Sequence, residues 1–233
     1  LDELLAADLA SVDLVALMVD GVYFAEHLCV VVLGIGIDGT KHPLALADGS
    51  TENASLVRDL LVSLRERGLD VTRPILAVLD GSKALRRAVL DVFDHPVIAR
   101  CQLHKIRNVT DKLPQHMRPA VAKKMRAAYH ADSALAAQGQ LEALARELDK
   151  THPNAAGSLR EGLEETLTVL RLELPPTLLR TFRSTNAIES MISISREHAK
   201  NVKRWRDAKM ALRWCAAGMV EASKQFRRVN GHL

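Results

Sequence analysis

The order of apolar segments in the first half of the chain constrains the fold more than any other feature. Three strand-like runs follow one another, over residues 14–21, 27–39 and 42–49. Two helix-like segments then alternate with two further apolar runs, over residues 74–82 and 95–104. Consecutive strands pair antiparallel through short turns, whereas strands separated by a helix pair parallel. The sequence therefore predicts an α/β fold with a mixed five-stranded sheet and flanking helices.

Two helices of this half have recognisable sequence boundaries. Leucines and valines recur at helical spacing after residue 54, and Gly68 is a typical residue just past a helix end. Ser82 precedes the second pattern and is a residue type that caps helix N-termini. Both segments are therefore predicted to be helices that cover the sheet.

The strand signals cease after the fifth run. From Lys112 the chain is rich in Ala, Leu, Glu, Lys and Arg, with turn breaks at several prolines. We interpret residues 112–182 as an all-helical insertion. It divides a core whose first part is residues 1–111 and whose second part, residues 183–233, contributes two C-terminal helices.

Charge is distributed unevenly along the chain. Residues 1–82 carry a net charge of −8, residues 83–182 one of +5 and residues 183–233 one of +7. An acidic first third suits a bound cation, and a basic remainder suits a polyanion such as nucleic acid. The alternative is an ordinary solvated basic surface.

The chain lacks the marks of a membrane or disulfide-rich protein. Its longest apolar run is too short to span a bilayer, and its acidic start is unlike a signal peptide. Its cysteines, Cys29, Cys101 and Cys215, form no CxxC pair, which predicts reduced thiols. We expect a cytoplasmic protein with no membrane partner. The chain begins at Leu1, and we expect an N-terminal part to be missing.

Two aspartates follow apolar runs in the same way. Asp20 ends "LMVD" and Asp80 ends "AVLD", and each is followed by glycine. If the two strands are neighbours, both carboxylates lie at one sheet edge, where their repulsion favours a cation between them. Oxygen ligands of this kind suit Mg²⁺ or Mn²⁺. The alternative is that each Asp-Gly pair is simply a turn.

A third carboxylate comes from the basic end of the chain. In "RSTNAIES", Asn186 can cap a helix, which puts Glu189 in the helix's first turn. Glu189 then completes a capping box or, because phosphate-binding side chains surround it, serves as a metal ligand. Both interpretations stay open on these residues alone.

Several motifs together resemble a known family. They are "LMVDGVYF", "TENA", "VLDGSKAL", "CQLHKIRNV", "LPPTLLRTFRSTNAIES" and "NVKRWRDAKMALRWCAAG". In this order and at these spacings they are similar to the Mutator family of bacterial insertion-sequence transposases. The resemblance covers nearly the whole chain.

The resemblance implies a fold, a site and a reaction. The fold is RNase H-like, with an all-helical insertion between the second and third acids of a DDE triad. The implied catalytic and metal-binding triad is Asp20, Asp80 and Glu189, holding two Mg²⁺ or Mn²⁺ ions. The implied reaction is cleavage at the element ends, followed by transfer of the freed 3′-OH into target DNA. Family members carry an N-terminal DNA-binding region that recognises terminal repeats, and we expect that region to be the missing part.

Further residues are expected either to contact DNA or to form a short family signature. The expected DNA contacts, which position phosphates without reading sequence, are Lys105, Arg107, Arg183, Asn186, Arg196, Lys203, Arg204 and Arg206. Cys101 and His104 match the family's Cys/Asp-x-x-His signature. They are too few for a closed zinc site, and we expect Cys101 on the fifth strand with His104 at its exit. Trp205 and Trp214 are core anchors or base-stacking residues.

The predicted partners are transposon ends and target DNA, with a homodimer or higher assembly forming on DNA. One alternative is an RNase H-like nuclease or resolvase, which would share the acids but lack strand transfer. Another is a transposase-derived DNA-binding regulator without activity.

Overall fold

A computed structural model describes residues 1–49 and 53–231 of the 233-residue chain. The strands are β1 (Leu14–Phe24), β2 (His27–Gly36), β3 (Lys41–Gly49), β4 (Ile75–Leu79) and β5 (Pro96–Arg100). They form one sheet in the order β3-β2-β1-β4-β5. β1 pairs antiparallel with β2, β2 pairs antiparallel with β3, and β1 pairs parallel with β4. The predicted mixed five-stranded sheet is confirmed.

The helices fall before, between and after the strands. They are α1 (Asp2–Ala6), α2 (Ala54–Glu66), α3 (Lys83–Val92), α4 (Gln102–Thr110), α5 (Arg118–Ala128), α6 (Ala134–Asp149), α7 (Pro153–Arg160), α8 (Leu163–Thr166), α9 (Thr168–Arg171), α10 (Pro176–Phe182), α11 (Asn186–Ala199) and α12 (Ala208–Lys224).

The chain divides into two compact units. Unit 1 consists of Leu1–Val97 and Thr185–Leu233, and unit 2 is Ile98–Ser184. Unit 2 thus includes α4 as well as the segment interpreted as an insertion. The division into residues 1–111, 112–182 and 183–233 stays a prediction.

Helices cover both faces of the sheet in unit 1. Nine successive residues of β2 are buried, which requires cover on both faces because neighbouring side chains point to opposite sides. α2 and α3 pack on each other and on β3 and β4, while α11 and α12 pack on each other and on β1 to β3. The helices closing the chain are therefore fixed to the middle of the sheet.

Side-chain caps fix where the first helices begin. The Ser82 hydroxyl accepts a hydrogen bond from the Leu85 N–H, which confirms its predicted capping role. Asn53 caps α2 by accepting from the Leu56 N–H at 2.8 Å. The start predicted for this helix, including Thr51 and Glu52 of the "TENA" motif, lies outside the described residues.

Unit 2 has its own apolar core. Side chains of α4 to α8 meet in one cluster, in which Val109, Met125, Leu141 and Ala155 are fully buried. The absence of strand signals after Lys112 agrees with this helical structure, since the elements that follow are all helices up to Phe182.

Two strand boundaries differ from the prediction. β1 does not end at Asp20 but continues to Phe24, because Gly21 to Phe24 keep pairing with β2. β5 ends at Arg100, and the "CQLH" residues begin α4 instead of extending the strand. The expected strand position of Cys101 is wrong: it is the N-cap residue of α4, and His104 lies in that helix's first turn.

Two further expectations concern cysteines and membranes. Cys29, Cys101 and Cys215 are all buried free thiols, as predicted. Across the part of the chain that the structure describes, no helix combines the length and apolarity needed to cross a membrane.

Candidate catalytic site

Strand register brings the two aspartates to the same end of the β1–β4 ladder. In the parallel ladder Ala16 pairs with Leu76, and each later partner keeps the same offset up to Met18 and Val78. Continued by two residues, this register sets Asp20 opposite Asp80. Adjacent strands lie about 4.8 Å apart, so the two side chains start from neighbouring backbone positions. β4 ends at Leu79, and the pair therefore stands where the parallel ladder stops.

Local hydrogen bonds orient both carboxylates. Asp20 Oδ1 accepts from the Gly21 N–H at 2.8 Å, and Asp80 Oδ1 accepts from the Ser82 N–H at 2.7 Å. Gly81, which follows Asp80, adopts a φ of 108°, a left-handed conformation that glycine allows at little cost. The turn interpretation of Asp80 is thus correct as local geometry, and the same turn places a half-buried carboxylate at the end of β4.

Glu189 belongs to the same compact unit. It lies in the first turn of α11, which packs on β1. The helix begins one residue earlier than predicted: Thr185, not Asn186, is the N-cap, because its carbonyl accepts from the Glu189 N–H at 3.0 Å. The Thr185 hydroxyl donates to Glu189 Oε1, also at 3.0 Å.

The aspartate pair fits a hard divalent cation in its chemistry. Two carboxylates at adjacent backbone positions repel each other unless a positive charge lies between them, and Mg²⁺ is usually bound by one or two carboxylates plus water and phosphate oxygens. Within residues 1–49 and 53–231, no three His, Cys, Asp or Glu side chains form a metal-sized group. Glu189 as the third ligand therefore stays a prediction.

Most of the residues predicted to contact DNA lie on the surface. The exposed ones are Arg107, Asn186, Arg196, Lys203, Arg204 and Arg206. Arg183 is half-buried, and its Nη1 donates to His130 Nε2 at 2.6 Å. Burial lowers the pKa of Arg183, with nearby Arg180 adding to the effect.

The segment between α11 and α12 is anchored by an aromatic contact. Trp205 packs on Phe24, with ring centroids 5.2 Å apart and an interplanar angle of 45°. This contact supports the core-anchor interpretation of Trp205. It fixes the neighbouring exposed residues Lys203, Arg204 and Arg206 to the end of β1 in unit 1.

Lys105 differs from the other predicted DNA contacts because it is fully buried, with 0% of its side chain exposed. Its Nζ donates to the carbonyls of Ser158 and Glu161 and lies 3.2 Å from Glu161 Oε2. Arg100 Nη1 donates to the same carboxylate oxygen at 2.8 Å. In this arrangement Lys105 cannot reach a DNA phosphate, and the structure assigns it to the interior of unit 2.

This ion network changes the pKa values of its members. Desolvation, together with the charge of Arg100, lowers the pKa of Lys105 to about 8 against the opposing effect of Glu161. For Glu161, partial burial raises the pKa, but the hydrogen bond and charge of Arg100 bring the net value below normal. One hint of this network is present in the sequence, since Lys105 and Ile106 share the buried face of an amphipathic helix.

We expect the buried Lys105 to make stability depend on pH. Its pKa is about 8 when folded and near 10.5 when unfolded. Between these values the unfolded state binds more protons, so the unfolding free energy contributed by this group rises with pH, approaching about 1.4 kcal/mol per pH unit. Chemical denaturation of the parent and Lys105→Met across pH 7 to 11 isolates this slope as their difference. Identical pH profiles would contradict the prediction.

The fold and this pair of acids define a class of protein: an α/β protein with an acidic residue just past the parallel pairing on each of two neighbouring strands, at the sheet edge where ligands of open α/β sheets bind. The chain belongs to the Mutator family of transposases, whose family model matches residues 8–229. The resemblance drawn from the motifs is confirmed.

Individual relatives agree with this family. The chain is 31% identical, over 98% of its length, to the transposase for insertion sequence element IS6120 of Mycolicibacterium smegmatis and spans 72% of that protein. It is 27% identical, over 74% of its length, to the transposase for insertion sequence element IST2 of Acidithiobacillus ferrooxidans and spans 57% of it. A probable insertion-sequence transposase of Corynebacterium diphtheriae is 26% identical over 90% of the chain, which spans 61% of that relative.

Proposed function

We propose that this chain is the catalytic part of an insertion-sequence transposase, which cleaves DNA at the element ends and joins the freed 3′-OH to target DNA. The observation that carries the proposal is the parallel β1–β4 register, which runs to Met18 and Val78 and would bring Asp20 and Asp80 together two residues further on, in a member of the Mutator family. A DDE enzyme needs two such acids at one place. The relatives described above are longer proteins, and the activity is proposed for the part represented here.

The strand arrangement supports an RNase H-like fold for this proposal. Three antiparallel strands come first in the chain, and β4 then joins β1 in parallel, giving the order β3-β2-β1-β4-β5. Unit 2 falls between Asp80 and Glu189 in the sequence, which is where the family's helical insertion would lie.

The carboxylates have assigned roles in the proposed reaction. Asp20, Asp80 and Glu189 would hold two Mg²⁺ or Mn²⁺ ions. When bound, such ions lower the pKa of an attacking hydroxyl and neutralise charge on the leaving oxygen of an in-line displacement. In the first step water would attack the phosphodiester at the element end, breaking the P–O3′ bond and releasing the element's 3′-hydroxyl. In the second step that 3′-hydroxyl would attack a target phosphodiester and displace the target's own 3′-oxygen, with the attacking group's proton passing to solvent and the leaving oxygen protonated from solvent. The side chains act as ligands and transfer no proton themselves.

The exposed basic side chains would position the DNA. Arg107, Arg196, Lys203, Arg204 and Arg206 present long cationic groups to solvent, and such groups bind phosphates without reading bases. The proposed partners are the element ends and target DNA, and the proposed active assembly is a homodimer or larger on DNA. The proposed location is the cytoplasm, at the nucleoid.

One assay separates transposition from the competing functions. The protein is incubated with Mn²⁺, a 3′-end-labelled donor carrying element ends, and supercoiled plasmid. Joined donor–plasmid products are expected, and they support a transposase. Cleavage without joining would indicate a nuclease or resolvase, whereas binding with neither product would indicate a regulatory DNA-binding protein.

We expect DNA affinity to depend steeply on salt and little on sequence. If about four to six of the basic side chains neutralise phosphates, the binding constant falls with log salt at a slope of about −4 to −5, because each contact contributes about −0.9. Fluorescence anisotropy with terminal-repeat and scrambled duplexes measures slope and preference together.

A paired set of variants identifies the surface responsible for this salt dependence. Lys203→Ala/Arg204→Ala should reduce the slope by about two. The control, Arg58→Ala/Arg87→Ala, removes two exposed arginines of unit 1 that pair with Asp59 and Asp91, and should leave the slope unchanged. A flat salt response, or a preference for the repeat above about a hundredfold, would contradict the backbone-contact prediction.

A further inference from the structure

Thr185 makes two hydrogen bonds to the same residue. Its carbonyl accepts from the Glu189 N–H at 3.0 Å, and its hydroxyl donates to Glu189 Oε1 at 3.0 Å. Thr185 is fully buried, at 0% exposed, whereas Glu189 is half-buried. The carboxylate is therefore tied to the rigid start of α11 by a group that solvent does not reach.

The hydroxyl is used differently from the side chains of other helix caps in this chain. Asn53, Ser82 and Ser133 each accept a hydrogen bond from a backbone N–H inside the helix that they cap. The Thr185 hydroxyl donates to a side-chain carboxylate of its own helix. A Ser or Thr at an N-cap commonly accepts from a free helix N–H, whereas the bond described here orients a carboxylate in the first turn of α11.

We propose that Thr185 is a positioning residue that holds the Glu189 carboxylate in place for a divalent cation. This inference rests on the proposed function, in which Glu189 is the third ligand of the site. A free Glu side chain has several rotamers, and binding a cation would require fixing one of them. A hydrogen bond to Oε1 fixes the rotamer beforehand, and the position of Oε2 is then set by the same geometry. Such outer partners of metal ligands typically change affinity or activity about 10- to 100-fold when removed.

The test compares two substitutions that separate the hydroxyl from the side-chain shape. Thr185→Val keeps the branched shape and loses the donor, and Thr185→Ser keeps the donor and loses the methyl group. Titration calorimetry with Mn²⁺ on the full chain is expected to show about 10- to 100-fold weaker binding for Thr185→Val. Thr185→Ser should restore affinity to within about threefold of the parent. Equal affinities for parent and Thr185→Val would overturn the inference.

A second comparison shows whether Thr185 acts through Glu189. In a Glu189→Gln background, adding Thr185→Val should not weaken Mn²⁺ binding further, because the charged ligand that the Thr185 hydroxyl is proposed to position is already gone. An additional loss of similar size in that background would mean that Thr185 affects the site through general packing, and would overturn the positioning role. Thermal unfolding without Mn²⁺ confirms that each variant is folded before titration.

The inference and the proposed function fail in distinguishable ways. If Asp20→Asn leaves Mn²⁺ binding unchanged, the carboxylate site itself is wrong. If Asp20→Asn and Glu189→Gln each weaken binding while Thr185→Val has no effect, the site stands and only the role of Thr185 is refuted.

Discussion

Asp20→Asn and Asp80→Asn are each expected to reduce DNA cleavage by about a thousandfold or more while leaving the fold intact. Each change removes a negative charge from the carboxylate pair at the end of the β1–β4 ladder. Loss of a metal ligand removes several kcal/mol of transition-state stabilisation, and each step of about 1.4 kcal/mol corresponds to a factor of ten in rate. Gel assays of a labelled element end in Mn²⁺ measure the rate.

Stability measurements give the same variants a second, independent readout. Without divalent ions each variant should unfold at or above the parental temperature, because one of two repelling charges is gone. Mn²⁺ should stabilise only the parent, since an ion that binds the folded state raises the unfolding free energy.

The matched control for these variants is Asp38→Asn. Asp38 also precedes a glycine in unit 1, but it lies in an exposed turn, where its carboxylate accepts from the Thr40 N–H and hydroxyl. Cleavage by this variant should equal that of the parent. Parental cleavage by Asp80→Asn would remove that residue from the site.

Gly218→Ala is expected to destabilise unit 1 by about 3 kcal/mol or more. A Cβ added at Gly218 in α12 would lie directly against the Cα of Ser195 in α11 and 2.7 Å from the Ser195 Cβ. A backbone atom cannot yield as a flexible side chain does, so the two helices would have to separate. Overpacking of a close-packed interior commonly costs about 1–3 kcal/mol, and this contact is tighter than most. Urea denaturation measures the change.

Two other helical glycines serve as controls for Gly218. Among the described residues, no atom outside the local helix backbone lies within 4 Å of where a Cβ would stand at Gly139 in α6 or Gly157 in α7. Alanine at either position should stabilise its helix by about 0.5–1 kcal/mol through the higher helix propensity. A Gly218→Ala protein as stable as these controls would show that α11 and α12 separate at little cost.

The sequence by itself determined the element types and their order. Apolar runs, the Ser82 cap and the change of period from strand to helix specify local structure, because they depend on neighbours within a few residues. The order of these elements then limited pairing to an antiparallel meander followed by a parallel strand, as observed. The motif set likewise identified the Mutator family without any tertiary information.

Some boundaries were decided by partners that local sequence does not contain. Gly21 suggested the end of β1, but the strand continues to Phe24 because β2 offers hydrogen-bond partners there. "CQLH" continued an apolar run, yet Cys101 begins a helix. Strand ends depend on which backbone groups are paired across the sheet, and that is a non-local property.

Only the tertiary structure decided which polar groups meet. The β1–β4 register, whose continuation would set Asp20 opposite Asp80, joins distant parts of the sequence, and a slip by one residue would turn one carboxylate to the other face. Lys105 resembles a surface cation in the sequence, but the carbonyls of Ser158 and Glu161 enclose it. A charged side chain can be buried only where other polar groups replace the water around it, and here those groups come from distant parts of the chain. The sequence therefore indicated which residue types the site contains, whereas the fold decided where each side chain lies.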